Sequence, residues 1–144
     1  MKKFEYLDDL PSDAGFIAYG TTLNELFENS ALALFSLIAK VEELKGNNEV
    51  SITLKDKTIE SLLYSFLSTL IAESEINEMF FSKVKVNINE DKNNKDLKYK
   101  LEAKVFGEPY QENKGLNLVK AITLHNLSIN KKNNIYSATV FVDL

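Results

Sequence analysis

VKAITLHNLSINKKNNIYSATVFVDL, residues 119–144, is the stretch that decides the fold. Val119–Asn130 and Asn134–Leu144 are rich in β-branched and aromatic residues, and the polar run Lys131-Lys132-Asn133-Asn134 lies between them. The pattern reads as two β-strands joined by a turn. The second strand continues to the last residue and sets the Asp143 side chain beside the chain's own terminal carboxylate. Two neighbouring negative groups repel unless a cation sits between them. The end of this strand is therefore the first place to look for function, and His125, the only histidine, and Lys120 lie just upstream.

Working outward from that pair, Phe4–Leu7 and Ala14–Gly20 read as short strands around an irregular segment, Asp8-Asp9-Leu10-Pro11-Ser12-Asp13. Thr22, with Glu25 three residues on, is a capping-box signature that starts a helix. Leu23, Leu26, Phe27, Ala31, Leu34, Ile38 and Val41 recur at helical spacing, and Gly46 with the following asparagines stops the run. Val50, Ile52 and Leu54 alternate with polar residues as a strand does. A second helix is predicted from Lys57 or Thr58 to Ser74 or beyond, with Leu62, Leu63, Phe66, Leu67, Leu70 and Ile71 forming its apolar stripe. Alternation returns at Val84, Val86 and Ile88, and again at Tyr99, Leu101, Ala103 and Val105, across a turn-like Asn89–Asp96. Gly107–Gly115 reads as a polar loop. Two striped helices and a mostly antiparallel, mixed sheet make a two-layer α+β domain, with both helices packed on one face.

Size and composition narrow the class. The 144 residues suit one domain, residues 1–144, able to bury a core without covalent staples. The absence of cysteine excludes disulfides, thiolate metal sites and cysteine nucleophiles. Met1-Lys2-Lys3-Phe4-Glu5 lacks a signal peptide's apolar region, and no apolar run approaches the ~20 residues of a membrane helix. A cytoplasmic protein without membrane contact is expected. A net charge of −4 argues against independent nucleic-acid binding. The lysines at 92, 95, 98, 100 and 104 read as the solvent face and turn of a hairpin.

The familiar catalytic patterns are missing: no G-x-S-x-G, no H-E-x-x-H, no P-loop and no dinucleotide fingerprint. What remains is acidic. Asp8, Asp9 and Asp13 lie near one end and Asp143 at the other. Carboxylates without Cys or His suit a hard cation, calcium or magnesium. Asp8, Asp9 and Asp13 serve equally well as caps and turns of a loop. Lys120 stands in an apolar context, where a charge needs a partner or a task, or reaches water from a sheet edge. Strand parity puts it on the face opposite Thr123 and His125 unless a bulge intervenes. His125 reads as a packed, hydrogen-bonded residue ahead of a ligand or base.

Over nearly its whole length the chain resembles the archease family. FEYLDDLPSDAGFIAYGTTLNELFENSALALF is similar to the family's opening strand, acidic segment, Gly-ended strand and helix. KTIESLLYSFLSTLI resembles its second helix, Gly107-Glu108 its GE pair, VKAITLHNLSI its V-K-A-x-T-x-H strand and FVDL its closing D-[IL]. Leu10 and Pro11 stand where the family usually has His and Thr, and Leu124 where an aromatic is common. The resemblance implies a non-enzymatic activator of the RtcB-type RNA ligase of tRNA splicing, promoting ligase guanylylation and repeated turnover. It further implies a divalent metal bound by Asp13, Asp143 and the main-chain oxygen of Leu144, with Lys120 as the activating lysine. The ligase would be the direct partner, and tRNA would be met only through it. Outside the resemblance, the alternatives are a stand-alone metal-dependent hydrolase using Asp13 and Asp143, and a general chaperone-like modulator.

Overall fold

The terminal hairpin forms as its sequence dictates, with a tighter turn than the run of four polar residues suggests. In a computed structural model, which describes residues 1–7 and 13–144 and at Asp13 the backbone alone, strand β6 (Ala121–Lys132) pairs antiparallel with β7 (Ile135–Asp143). Only Asn133 and Asn134 lie outside the strands, both left-handed at φ 54 and 63°. Two successive left-handed residues make the two-residue turn whose twist matches that of the strands, and asparagine tolerates the conformation better than most residues.

The remaining elements are β1 (Phe4–Leu7), β2 (Asp13–Gly20), α1 (Leu23–Ile38), β3 (Asn48–Asp56), α2 (Ile59–Asn77), β4 (Met79–Glu90) and β5 (Tyr99–Pro109). The α+β class is as expected. The strands, however, divide into two sheets, ordered β1-β2-β7-β6 and β3-β5-β4, and every pairing is antiparallel among the described residues. Alternating patterns look the same whether strands share one sheet or two, so periodicity could not make that distinction. Each helix touches both sheets: α1 packs on β2 and β4, and α2 on β6 and β3. The helices meet where Phe27 stacks on Phe66, ring centroids 5.9 Å apart. One contiguous core results, and in it Leu26, Leu34, Leu62, Leu63 and Leu67 are fully buried.

Local chemistry sets the helix ends. The Thr22 hydroxyl accepts the Glu25 N–H at 3.1 Å, and the Glu25 carboxylate accepts the Thr21 N–H at 3.0 Å. The first bond satisfies a donor that the first turn leaves open, and the second ties the residue before the cap back to that turn. Helix α1 stops at Ile38, short of the Val41 that its periodicity reaches; Val41–Glu43 is a separate 3-10 turn. The cause is tertiary. The Leu116 N–H donates to Ile38 O at 2.8 Å and the Lys40 N–H to Lys114 O at 2.9 Å, so a distant segment takes over the backbone groups at the helix end.

Helix α1 also closes the free edge of β4. Asn24 Oδ1 accepts the Ile88 N–H at 2.8 Å and Glu28 Oε2 accepts the Val86 N–H at 2.9 Å. Side chains four apart on a helix thereby meet amides two apart on a strand, and an edge open to mispairing is covered. No helix among the described residues is long and apolar enough to cross a membrane.

Candidate functional site

Strand β7 is central in its sheet, between β2 and β6. Ala138, Val140 and Val142 are buried in the core, and the alternate positions turn to the other face, ending at an exposed Asp143. The β2–β7 register sets Asp13 directly opposite Asp143, and the β6–β7 register sets Ala121 opposite Asp143 on the other side. The Lys120 N–H donates to the Asp143 main-chain oxygen at 2.8 Å. Sequence positions 13, 120, 143 and 144 therefore gather at one end of one sheet, although some 107 residues separate Asp13 from Lys120. Asp8 and Asp9 lie outside the described residues.

Two residues further along, Gly15 pairs with Phe141. A Cβ at Gly15 would come within 2.7 Å of the Phe141 ring, so only glycine admits that aromatic beside the Asp13–Asp143 pair. Like charges directly opposite across two strands are unfavourable. Among the described residues no lysine lies within ion-pairing reach of Asp143, Lys120 included. No three acidic or imidazole side chains gather around a common point there either, the Asp13 side chain falling outside that comparison.

Strand parity does not carry back to Lys120. Val119 and Ile122 are both buried, three residues apart, while Lys120 and Ala121 are exposed. The alternation breaks as the chain enters β6, because Val119 turns in to line a cleft beside Ile71 of α2. His125 falls in a bulge: Thr123 pairs with Phe141 and Ser128 with Thr139, so four residues of β6 face one of β7. Asn126 takes φ 67° within it, and His125 is exposed. The packed strand histidine that the sequence suggested is instead displayed to solvent.

Sequence context puts Glu108 in a polar loop and, beyond the GE pair, gives it no role. Strand β5 runs through Pro109, so Gly107 and Glu108 belong to the sheet and the polar loop is shorter than expected. A Cβ at Gly107 would lie 2.2 Å from Phe80 O, next to the bulge between Phe81 and Lys83 in β4. Glu108 is 7% exposed. It accepts the Lys45 N–H at 2.6 Å and Gln111 Nε2 at 2.5 Å, and pairs with Lys114 at 3.4 Å. The Lys45 amide first, and then the Lys114 charge, hold its carboxyl below the usual carboxylate range. It thus ties the 44–46 turn to the segment that walls a cleft of about 360 Å³, lined by Phe80, Tyr110, Leu116 and Leu118. The GE pair of the resemblance was the signal available for it.

A depressed carboxyl contributes stability that is present above its unfolded value and lost as pH falls through the folded one. Glu108→Gln is expected to lower the melting temperature at neutral pH, and the gap to the parent should close on acidification below about pH 4. Thermal melts of both proteins across that range check this. A gap that stays constant with pH would mean that the charge contributes nothing.

A family model described as the Archease protein family (MTH1598/TM1083) matches residues 4–144. The chain is 36% identical over 146 residues to the protein archease of Sulfurisphaera tokodaii, covering all of both chains. It is 35% identical over 145 residues to that of Methanosarcina mazei, covering 99% of this chain and 97% of that one. Among solved structures, protein 1598 of Methanobacterium thermoautotrophicum superposes with a TM-score of 0.83 at 32% identity, over the full length of both. An archease of Thermotoga maritima shares the fold at a TM-score of 0.65 and 16% identity, covering 100% of this chain and 98% of that one.

Proposed function

The chain belongs to the Archease protein family, and on that premise we propose that it is a non-enzymatic accessory factor activating an RtcB-type RNA ligase in tRNA splicing. It promotes guanylylation of the ligase and repeated turnover, and it reaches tRNA through the ligase. The observation that carries this reading is the gathering of Asp13, Lys120 and Asp143 at one sheet end by strand register.

Asp13, Asp143 and the Leu144 main-chain oxygen are the proposed ligands of a divalent metal. Their all-oxygen donor set suits calcium or magnesium. An Asp143 carboxylate with no cation beside it among the described residues is the kind of charge such an ion would neutralise. The ion would supply positive charge and open positions for water or a phosphate oxygen.

Lys120 is proposed as the group that acts in the complex. It is exposed, and its one described hydrogen bond uses the main chain. Lys120→Ala should therefore leave the melting temperature within about 1 °C of the parent. The stimulation of ligase guanylylation should fall by about tenfold or more, since a charge at an interface governs encounter and register. A stability loss without a change in stimulation would make Lys120 a structural residue.

The deciding experiment is ligase guanylylation and multiple-turnover ligation with and without this chain. The chain alone with RNA and nucleotide should be inert, whereas a hydrolase would act alone. Equal benefit to unrelated, aggregation-prone proteins would favour a general chaperone.

A further inference from the structure

The outer face of the three-stranded sheet carries a charge distribution at odds with the chain as a whole. Strand register aligns its solvent-facing residues into rows. Lys55 lies directly opposite Lys100, and Lys104 directly opposite Lys85. Lys83 extends the same face along β4, opposite Phe106. Five lysines stand against two glutamates, Glu49 and Glu102, a net of +3 on a chain whose formal charge is −4. Lys100 pairs with Glu102 at 3.1 Å. Lys55, Lys83, Lys85 and Lys104 have no ion pair among the described residues.

Like charges directly opposite across strands destabilise a sheet. Two such pairs on one small face call for a polyanion. In the row between them Thr53 and Asn87 flank Glu102, whose charge Lys100 offsets, and with Ser51, Lys85 and Lys104 these residues line a shallow concavity of about 390 Å³. Hydroxyls and amides are the side chains that join lysine on phosphate oxygens. A protein partner is disfavoured by composition. The cores of protein interfaces are depleted in lysine and depend on aromatic anchors, and the one aromatic on this face, Phe106, is partly buried.

We propose that the outer face of β3-β5-β4 binds the phosphate backbone of RNA, adding a direct, salt-sensitive contact to RNA that the partner ligase holds. The rows and the missing counter-charges are independent of the ligase reading; the choice of RNA over another polyanionic nucleic acid rests on it. Lysines at i and i+2 along a strand stand ~6.6–6.8 Å apart and neighbouring strands ~4.8 Å apart, so the lysines form a two-dimensional grid that tracks backbone charge without reading bases.

The test is anisotropy of a labelled single-stranded RNA and of a tRNA transcript titrated with the purified chain. With four unpaired lysines engaged, log affinity should fall against log salt with a slope near −3, about fifty-fold between 50 and 200 mM. Lys85→Gln/Lys104→Gln should halve the slope and weaken binding at low salt by about tenfold or more. Its melting temperature should equal or exceed the parent's, because a like-charge pair is gone. The double variant should also stimulate RNA-free guanylylation of the ligase at the parent level. Absence of parent binding at low salt overturns the proposal, as does parent-like binding by the double variant. Displacement by poly-glutamate as effective as by RNA of equal charge makes the face a site for acidic protein and overturns it too. Loss of guanylylation with loss of RNA binding would do the same, by assigning the face to the ligase. If the parent itself fails to stimulate guanylylation, the ligase reading falls while the RNA result stands on its own measurement.

Discussion

Leu67→Asp is expected to abolish cooperative folding. Leu67 is fully buried on α2, in the stripe that carries Phe66 against Phe27 of α1. Losing a buried leucine forfeits ~1.5–3 kcal/mol of burial. An aspartate there must either bury a charge without a partner or take up a proton, and either course costs several kcal/mol more. Domains of this size are stable by only ~5–15 kcal/mol, so the combined cost is comparable with the whole. Ile76→Asp is the matched control. It lies on the same helix but is 73% exposed, and it should melt close to the parent. Circular dichroism melts of the two variants decide the matter; a cooperative, parent-like melt for Leu67→Asp would show that the stripe is not core.

Asp143→Asn should remove metal-dependent stabilisation and, with it, ligase activation. A metal that binds only the folded chain stabilises it by RT ln(1 + [L]/Kd), about 2.7 kcal/mol at a hundredfold excess over Kd. For a domain of this length that corresponds to about 5–10 °C. Added calcium or magnesium should therefore raise the parent's melting temperature by that amount and leave Asp143→Asn and Asp13→Asn unmoved. Without metal, the variants should be as stable as the parent or slightly more so, because one of two carboxylates on facing positions is neutral. Calorimetry supplies the second readout. Equal metal affinity in the parent and both variants would put the site elsewhere.

Legibility from the sequence followed the range of the interaction. Thr22 and Glu25 announced α1, and the same hydrogen bonds close its first turn. The stripe of Leu62, Leu63, Phe66, Leu67, Leu70 and Ile71 announced α2, and each of these residues is buried. In contrast, α1 ends three residues before its last periodic position because Leu116 and Lys114 reach it from elsewhere in the chain. Strand parity failed at Lys120 and His125 for a related reason. The period of two holds only while every residue pairs, and Val119 turning inward and the 124–127 bulge each break it.

The candidate site was legible as residues and not as a place. Asp13, Lys120 and Asp143 could be singled out by type and context, yet nothing local requires the two ends of the chain to meet. Glu108 and the lysine rows show the same division. A carboxylate's partners and a lysine's cross-strand neighbour depend on which strand lies alongside.

By itself the sequence determined the helices, the strands, the existence of the terminal hairpin and the faces that must be buried, because caps, turns and apolar periodicity act within a few residues. The tertiary structure alone decided the division into two antiparallel sheets, the meeting of positions 13, 120 and 143, and the concentration of positive charge on one face. Register and sheet order come from packing both helices against both sheets at once, a constraint that no short window of residues contains.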